Sequence, residues 1–328
     1  MKEGGNILKT IQKPVEAEMR RFNELLTENY RSQSLFVSTI TDYVLEQRGK
    51  QMRPLLVLLS AALNGGIGEK SYIGAILVEM THTASLVHDD IIDEAYMRRG
   101  QLSTNAIWRS RTAVLVGDYI LAHALSITAE NNAYELMRPL IDSFEKLCEG
   151  ELIQLEHASK LDMTEAAYFN VIHRKTASLL GACGAIGASS AGASAEVIAQ
   201  MQRFGECIGM AFQIKDDLLD YRPASQTGKA AGNDLKERKI TLPLLYLLNH
   251  SSASERKKLI RTISTIRDRE ENIAWVQQQV AASGAIAYTE QVMQNYEQQA
   301  LEILASYPPS PIRDSLEAYC HFILQRKK

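Results

Sequence analysis

The sequence predicts an all-α fold, and three observations carry that prediction. Only eight prolines occur in 328 residues. None lies between Pro54 and Pro139, so nothing in that stretch forces a helix to break. Long runs such as Ile73 to Val87 and Thr112 to Ala129 carry Ala, Leu, Ile and Val at helical spacing. Alternating strand patterns closed by Asn-Gly or Asp-Gly turns are absent. With 45% hydrophobic and 23% charged residues, the chain has material for a large core. No Gly/Ser- or Pro-rich linker divides it, so one domain over 1–328 with more than ten helices is expected.

The elements follow from their punctuation. Pro54 fits the first turn of a helix that follows the basic segment Arg48-Gly49-Lys50-Gln51-Met52-Arg53. Breaks fall near Asn64-Gly65-Gly66, Arg99-Gly100, Asp162, Tyr221 to Gly232, Ser251 to Ser254, Ser283-Gly284 and Pro308-Pro309. Gly181 to Gly192 reads as a tightly packed helix of small residues followed by a turn. The charged, amphipathic segment 255–328 is expected to pack around a core or close it, without chemistry of its own.

Composition excludes some classes. A formal net charge of -3 shows no bias toward nucleic acid. Cys148, Cys183, Cys207 and Cys320 form no Cys-x-x-Cys pair, so neither a zinc site nor a redox motif is indicated. Scattered thiols in apolar segments fit a reducing cytoplasm. Met1 to Asn6 has no signal-peptide core, and no apolar run is expected to span a bilayer.

Two acidic clusters stand out. His88-Asp89-Asp90-Ile91-Ile92-Asp93 and Lys215-Asp216-Asp217-Leu218-Leu219-Asp220 are each Asp-Asp-x-x-Asp inside an apolar run. Carboxylates are seldom buried unless paired or bound to metal. Residues four apart share a helix face, so Asp89 and Asp93 repel, as do Asp216 and Asp220. A hard divalent cation such as Mg²⁺ offsets that repulsion, held by a few carboxylates plus substrate phosphates. A lone cluster would read equally well as a solvated patch; two with the same spacing and flanks make coincidence a poor account.

Basic residues accompany both clusters. Arg98-Arg99-Gly100 follows the first by one turn, and reads either as a helix end or as two guanidinium forks for phosphate. Lys229 and Lys239 follow the second, in what would otherwise be a solvated loop. Lys50 and Arg53 are three apart and able to face one anion; Lys175-Thr176 adds a cation in an apolar setting. His82 lies two helical turns before Asp89 on one face, and Gln213 precedes Asp216 by three.

Taken together, the chain resembles the trans-isoprenyl diphosphate synthases, or polyprenyl synthetases. The resemblance rests on Gly49-Lys50-x-x-Arg53-Pro54, His82 through Asp93, Arg98-Arg99-Gly100, Gly117-Asp118-Tyr119, Gly150-Glu151-Leu152-x-Gln154 and Lys175-Thr176-Ala177. It continues through Phe212-Gln213-Ile214-x-Asp216-Asp217-x-x-Asp220, Gly228-Lys229, Gly232-Asn233-Asp234-Leu235 and Lys239-x-Thr241-Leu242-Pro243. These motifs define a core of about 45–246, and the family implies an isoprenoid-synthase bundle around a central cavity. It also implies a mechanism. Three Mg²⁺ ions join an allylic diphosphate to the aspartates, with Asp89 and Asp93 holding two and Asp216 the third; Asp90, Asp217 and Asp220 complete the motifs. Arg98, Lys175, Thr176, Gln213, Lys229 and Lys239 bind or orient that diphosphate. Isopentenyl diphosphate sits opposite on Lys50, Arg53, His82 and Arg99. Relatives are mostly homodimers. Two departures stand out: Gln101-Leu102-Ser103-Thr104 where Lys-Pro-Thr is common, and Arg238 for the usual glycine before Lys239.

Product length is read from the helix before the first cluster. Ala84 and Ser85, five and four residues before Asp89, are small where short-chain relatives place aromatics; Thr81, Met80, Leu77 and Ile76 continue without rings. The cluster also lacks a two-residue insertion common in bacterial short-chain enzymes. A long, octaprenyl-like product made from a farnesyl or geranylgeranyl primer is expected, and a product of that length is one to be handed to a membrane; alternatively Tyr119 to Ile127 supplies a floor. A terpene cyclase fits less well, because it usually lacks a second Asp-Asp-x-x-Asp. A regulatory subunit tends to lose aspartates that are intact here.

Overall fold

The structure is a computed structural model that describes residues 2–221, 232–266 and 269–324, with side chains from Ile7 onward. It is all-α. The helices are α1 (Lys2–Gln12), α2 (Glu16–Asn29), α3 (Leu35–Glu46), α4 (Met52–Leu63), α5 (Glu69–Ile92), α6 (Thr104–Glu130), α7 (Met137–Lys160) and α8 (Glu165–Ile172). They continue with α9 (Ser178–Ser190), α10 (Ala195–Asp220), α11 (Asn233–Lys236), α12 (Leu242–His250), α13 (Ala253–Ser264), α14 (Glu270–Ala282), α15 (Ala285–Ala305) and α16 (Pro311–Leu324). Helices α4, α5, α9 and α10 pack together at the centre, α6 lies along α5, and α15 and α16 lie against α10. One contiguous apolar core draws side chains from Ile11 on α1 to Leu324 at the end of α16.

Local signals set the ends that matter. Ser103 caps α6 by accepting from the Ala106 N–H at 3.1 Å, while its hydroxyl donates to Ala95 O at 2.6 Å. Ser194 caps α10 through the Val197 N–H. As read from sequence, Gly181 to Ser190 is a buried helix of small residues, and the small side chains let α4 and α10 approach its backbone.

Two expectations need correction. Arg99-Gly100 does not end a helix. It is the turn of a two-stranded hairpin pairing Met97–Arg98 with Gln101–Leu102, and both turn residues have positive φ, 52° and 81°. Two-residue hairpins favour that geometry, and one glycine in two suffices to relieve it. Helix α6, with an 18-residue window of mean hydropathy 1.4, is long and apolar enough by length and composition to cross a bilayer. No run of that length was expected from the sequence, yet the charges within this helix do not lower its mean hydropathy below such a threshold.

Candidate active site

Helix α5 delivers the first acidic cluster at its C-terminus and α10 delivers the second at its own. Each motif divides by burial. Asp90 is 2% exposed, and Arg98 Nε donates to both its oxygens at 2.7 and 2.8 Å. Asp217 is 4% exposed and accepts from Tyr168 Oη at 2.6 Å and Gln213 Nε2 at 2.9 Å. Asp220 accepts from the backbone N–H groups of Gly232, Asn233 and Asp234, and so anchors the start of α11. Asp89 and Asp216 are half-buried and Asp93 is exposed. The structure thus turns Asp90, Asp217 and Asp220 toward the protein.

The two clusters face common cations. Lys175 sits in a π-helical turn, His173–Ala177, between α8 and α9. Such turns insert a residue into a helix and re-aim its side chains. Lys175 Nζ lies 2.7 Å from Glu151 Oε1 and donates to Gln154 Oε1 at 2.9 Å, both on α7. It lines one cavity with Asp217, and its charge opposes the rise in pKa that burial imposes on both Asp89 and Asp217. Gly150 makes this possible: a Cβ there would meet Arg174 Cβ at 2.9 Å and Lys175 Cγ at 3.0 Å. Thr176 Oγ1 donates to Gln213 Oε1 at 2.7 Å, which in turn orients Gln213 toward Asp217.

Lys239 is the second shared cation. Burial alone would lower its pKa, but Glu237, Asp234 and Asp93 together raise it. Lys175, Gln213, Asp217, Asp234 and Lys239 line one cavity with Tyr168 and Gln154. Arg238, in the place of the usual glycine, adopts φ of 57° and donates from Nη2 to Ser264 O at 2.9 Å. Lys229 lies outside the described residues.

Crowded carboxylates raise one another here despite the two lysines. Burial, then Glu151 and Asp93, push the Asp89 carboxyl up to about 6. Burial raises Asp217 to about 6, and burial with Asp217 and Asp220 raises Asp234 to about 8. All-oxygen donors that repel one another suit a hard divalent cation, although among the described residues no three carboxylate, imidazole or thiol groups converge into a metal cage without substrate oxygens.

A second cavity, about 560 Å³, is lined from α5 by Glu79 and His82. Lys50, Arg53, His82 and Arg99 all line it, as the sequence suggested, together with Arg48 and Glu79. Tyr319, Phe322 and Ile323 of α16 form a wall that sequence reasoning did not assign. Lys50 Nζ sits 5.2 Å from the Phe322 ring centroid, and Tyr319 Oη donates to Met52 O at 3.0 Å. Burial, then Arg53, Arg99 and Arg98, hold His82 well below its ordinary pKa, so its imidazole is neutral at pH 7.

Gly49 sets the position of Arg99. A Cβ at residue 49 would lie 2.6 Å from an Arg99 guanidinium nitrogen, whose neighbour Nη1 donates to Gln47 O at 2.5 Å. Gly49→Ala is therefore expected to displace that flexible side chain without loss of fold. The expected result is a rise of about tenfold in KM for the ligand of this pocket, the cost of one charge-assisted hydrogen bond. Steady-state kinetics with each substrate varied in turn checks it.

Ala84, Ser85, Thr81 and Met80 are all buried. Thr81, Ala84, Ser85 and His88 follow i, i+3, i+4, i+7 spacing, and His88 Nε2 lies 3.2 Å from Val114 O of α6, so this face looks at α6. The buried stripe of α6 runs Ala113, Val116, Gly117, Ile120, Ala124, Ile127 and Thr128, small and aliphatic and without a ring. Tyr119 stacks on His123, whose Nε2 lies 2.9 Å from Asn29 O on α2.

An all-α chain with two acidic helix ends between two basic cavities is built as a prenyltransferase acting on diphosphates. The family described as Polyprenyl synthetase matches residues 35–280, and the chain belongs to that family. It is similar to the octaprenyl diphosphate synthase of Escherichia coli, 32% identical over 322 residues, covering 98% of this chain and 99% of that one. It is also similar to a short chain isoprenyl diphosphate synthase of Methanothermobacter thermautotrophicus, 32% identical over 320 residues, covering 94% and 98%. A crystal structure of a decaprenyl diphosphate synthase from Rhodobacter capsulatus superposes with a TM-score of 0.91 at 31% identity, covering 98% and 99%. The chain is a trans-prenyltransferase using isopentenyl and allylic diphosphates.

Proposed function

We propose that this enzyme adds isopentenyl diphosphate repeatedly to a farnesyl or geranylgeranyl primer, giving a long-chain, octaprenyl-like diphosphate. The observation that supports the catalytic reading is the cavity that Lys175 and Lys239 line together with Gln213, Asp217 and Asp234. Overall identity does not separate product lengths, since long-chain and short-chain relatives are equally similar. The long-chain reading is supported instead by the ring-free buried faces of α5 and α6.

In this reading the allylic diphosphate lies in the Lys175–Lys239 cavity. Asp89, Asp93 and Asp216 hold Mg²⁺, three ions in our proposal, while Asp90, Asp217 and Asp220 brace the helix ends. Bound there, Mg²⁺ supplies charge neutralisation for the leaving diphosphate. Lys175 and Lys239 offer cations to the same oxygens as the C–O bond breaks, and Gln213 orients them. Lys50, Arg53, His82 and Arg99 fix isopentenyl diphosphate so that its double bond attacks the allylic carbocation. A proton is then lost, with the departing diphosphate as its acceptor. Apolar walls exclude water, which would quench the cation. The test is pyrophosphate release by the purified chain with farnesyl diphosphate, isopentenyl diphosphate and Mg²⁺; no release overturns the proposal.

A homodimer is also proposed. Exposed apolar side chains mark α6 and α7, including Leu115 (61%), Leu152 (67%) and Leu155 (62%), and a second copy is the occupant they suit. The buried thiols of Cys183, Cys207 and Cys320 support a reducing, cytoplasmic setting.

The raised carboxyl at Asp89 gives a pH prediction. Its folded-state pKa, about 6, lies above the ordinary aspartate value of roughly 3.9, so the folded apo form binds more protons in that window. Its contribution is therefore destabilising as pH rises through the window, and a cation relieves it above pH 6. The melting temperature is expected to rise with Mg²⁺ and pyrophosphate more at pH 7.5 than at pH 5.5. Paired thermal melts check this.

A further inference from the structure

Glu79 lies on α5 one turn before His82, and it is 8% exposed. It lines the isopentenyl-side cavity and also the adjoining one bounded by Tyr30, Asp90 and Arg98. Around the larger cavity stand Arg48, Lys50, Arg53 and Arg99, and Glu79 is the one acid among its lining residues. The arginines reach it from three places: the segment after α3, the first turn of α4 and the hairpin after α5. Arg53 Nε is buried without a hydrogen-bond partner, so this guanidinium keeps an unspent donor beside the cavity.

Cations gathered from separate elements repel one another, and long side chains disperse unless something holds them. A buried carboxylate uncompensated by cations is equally unfavourable. Each half of this arrangement therefore needs the other before any diphosphate arrives. Glu79 and the three arginines line the same cavity, and there burial raises the Glu79 pKa while Arg53, Arg99 and Arg48 oppose that rise.

We propose that Glu79 is a positioning residue for the isopentenyl diphosphate site, its carboxylate holding Arg53 and Arg99 where they receive the diphosphate. This rests on the assignment of that cavity made above. Glu79 need not touch the substrate; it acts through the arginines.

The test is steady-state kinetics of E79Q, which keeps the volume and removes the charge. The expected result is a rise of about tenfold in KM for isopentenyl diphosphate, the scale of one lost charge-assisted interaction, with KM for the allylic primer and kcat within about twofold. E79D, which keeps the charge, is expected to recover part of the loss. Unchanged KM for isopentenyl diphosphate in E79Q overturns the proposal. So does a uniform fall in all parameters with a matching drop in melting temperature, which marks a merely structural carboxylate. If E79Q does not fold, E79D carries the test alone: KM for isopentenyl diphosphate raised by less than tenfold supports the proposal, and unchanged KM overturns it. Arg53→Ala separates the two levels. If it too leaves that KM unchanged, the cavity assignment fails, and this inference with it; if only E79Q does, the inference alone fails.

Discussion

Asp89→Asn is expected to lower kcat by roughly 10³-fold while leaving the fold intact, a loss in the range for removing one stabiliser of developing charge. Asp89 is half-buried and pressed by Glu151 and Asp93, so in the free protein its charge is a burden. Removing that charge is expected to hold or raise the melting temperature at pH 7.5. The adjacent Asp90→Asn has the opposite signature. Asp90 is 2% exposed and takes both hydrogen bonds from Arg98 Nε, so neutralising it strands a guanidinium in a half-buried site. Breaking such a pair costs about 3–5 kcal/mol when fully buried, and less here because Arg98 keeps some solvent contact. Two neighbouring aspartates are thus separable by kinetics and thermal melts. Equal effects of both substitutions on stability would contradict the division of the motif into accessible and braced carboxylates.

Ala84→Tyr is expected to shorten the product sharply. Ala84 is 1% exposed on the α5 face turned toward α6, with Thr81 one turn further and Ser85 beside it. A phenol there occupies the space a growing chain needs after its first additions, so farnesyl diphosphate is extended by only one or two units. The early condensations occur at Asp89 and Lys175, away from the new ring, and their rates are expected to stay within a few-fold. The substitution overfills a packed region, so a stability loss of about 1–3 kcal/mol is expected. Chromatography of radiolabelled products reads the length distribution; an unaltered distribution places the floor on another helix.

What could be read from sequence was local. The aspartates, Lys175, His82 and Gln213 announced themselves because helical spacing fixes which neighbours share a face. Lys50, Arg53, His82 and Arg99 do line one cavity, although their convergence depends on three separate elements. Residues supplied by tertiary packing were missed. Tyr168 reaches Asp217 across 49 positions, and nothing near it in sequence signals that contact. Tyr319 and Phe322 belong to a C-terminal segment read as plain packing. Glu79 did carry a signal: an acid inside an apolar run, three residues before His82, needs a partner. Arg98-Arg99-Gly100 read either as a helix end, where arginines suit the dipole, or as guanidinium forks for phosphate; the pairing of Met97–Arg98 with Gln101–Leu102, which no local signal gives, removes the first.

The division of Asp-Asp-x-x-Asp follows from the same geometry. Consecutive residues on a helix point about 100° apart, so Asp89 and Asp90 cannot share an environment. Spacing identified Asp89 and Asp93 as one face, but only the position of Arg98 shows what the other face meets.

The most direct test of the account is the length of the product. Purified enzyme is incubated with farnesyl diphosphate, excess isopentenyl diphosphate and Mg²⁺, and the dephosphorylated alcohols are sized. The account predicts chains near forty carbons, built through shorter intermediates. Products that stop at fifteen or twenty carbons would contradict it, and would show that the small residues before Asp89 do not leave room for a long chain.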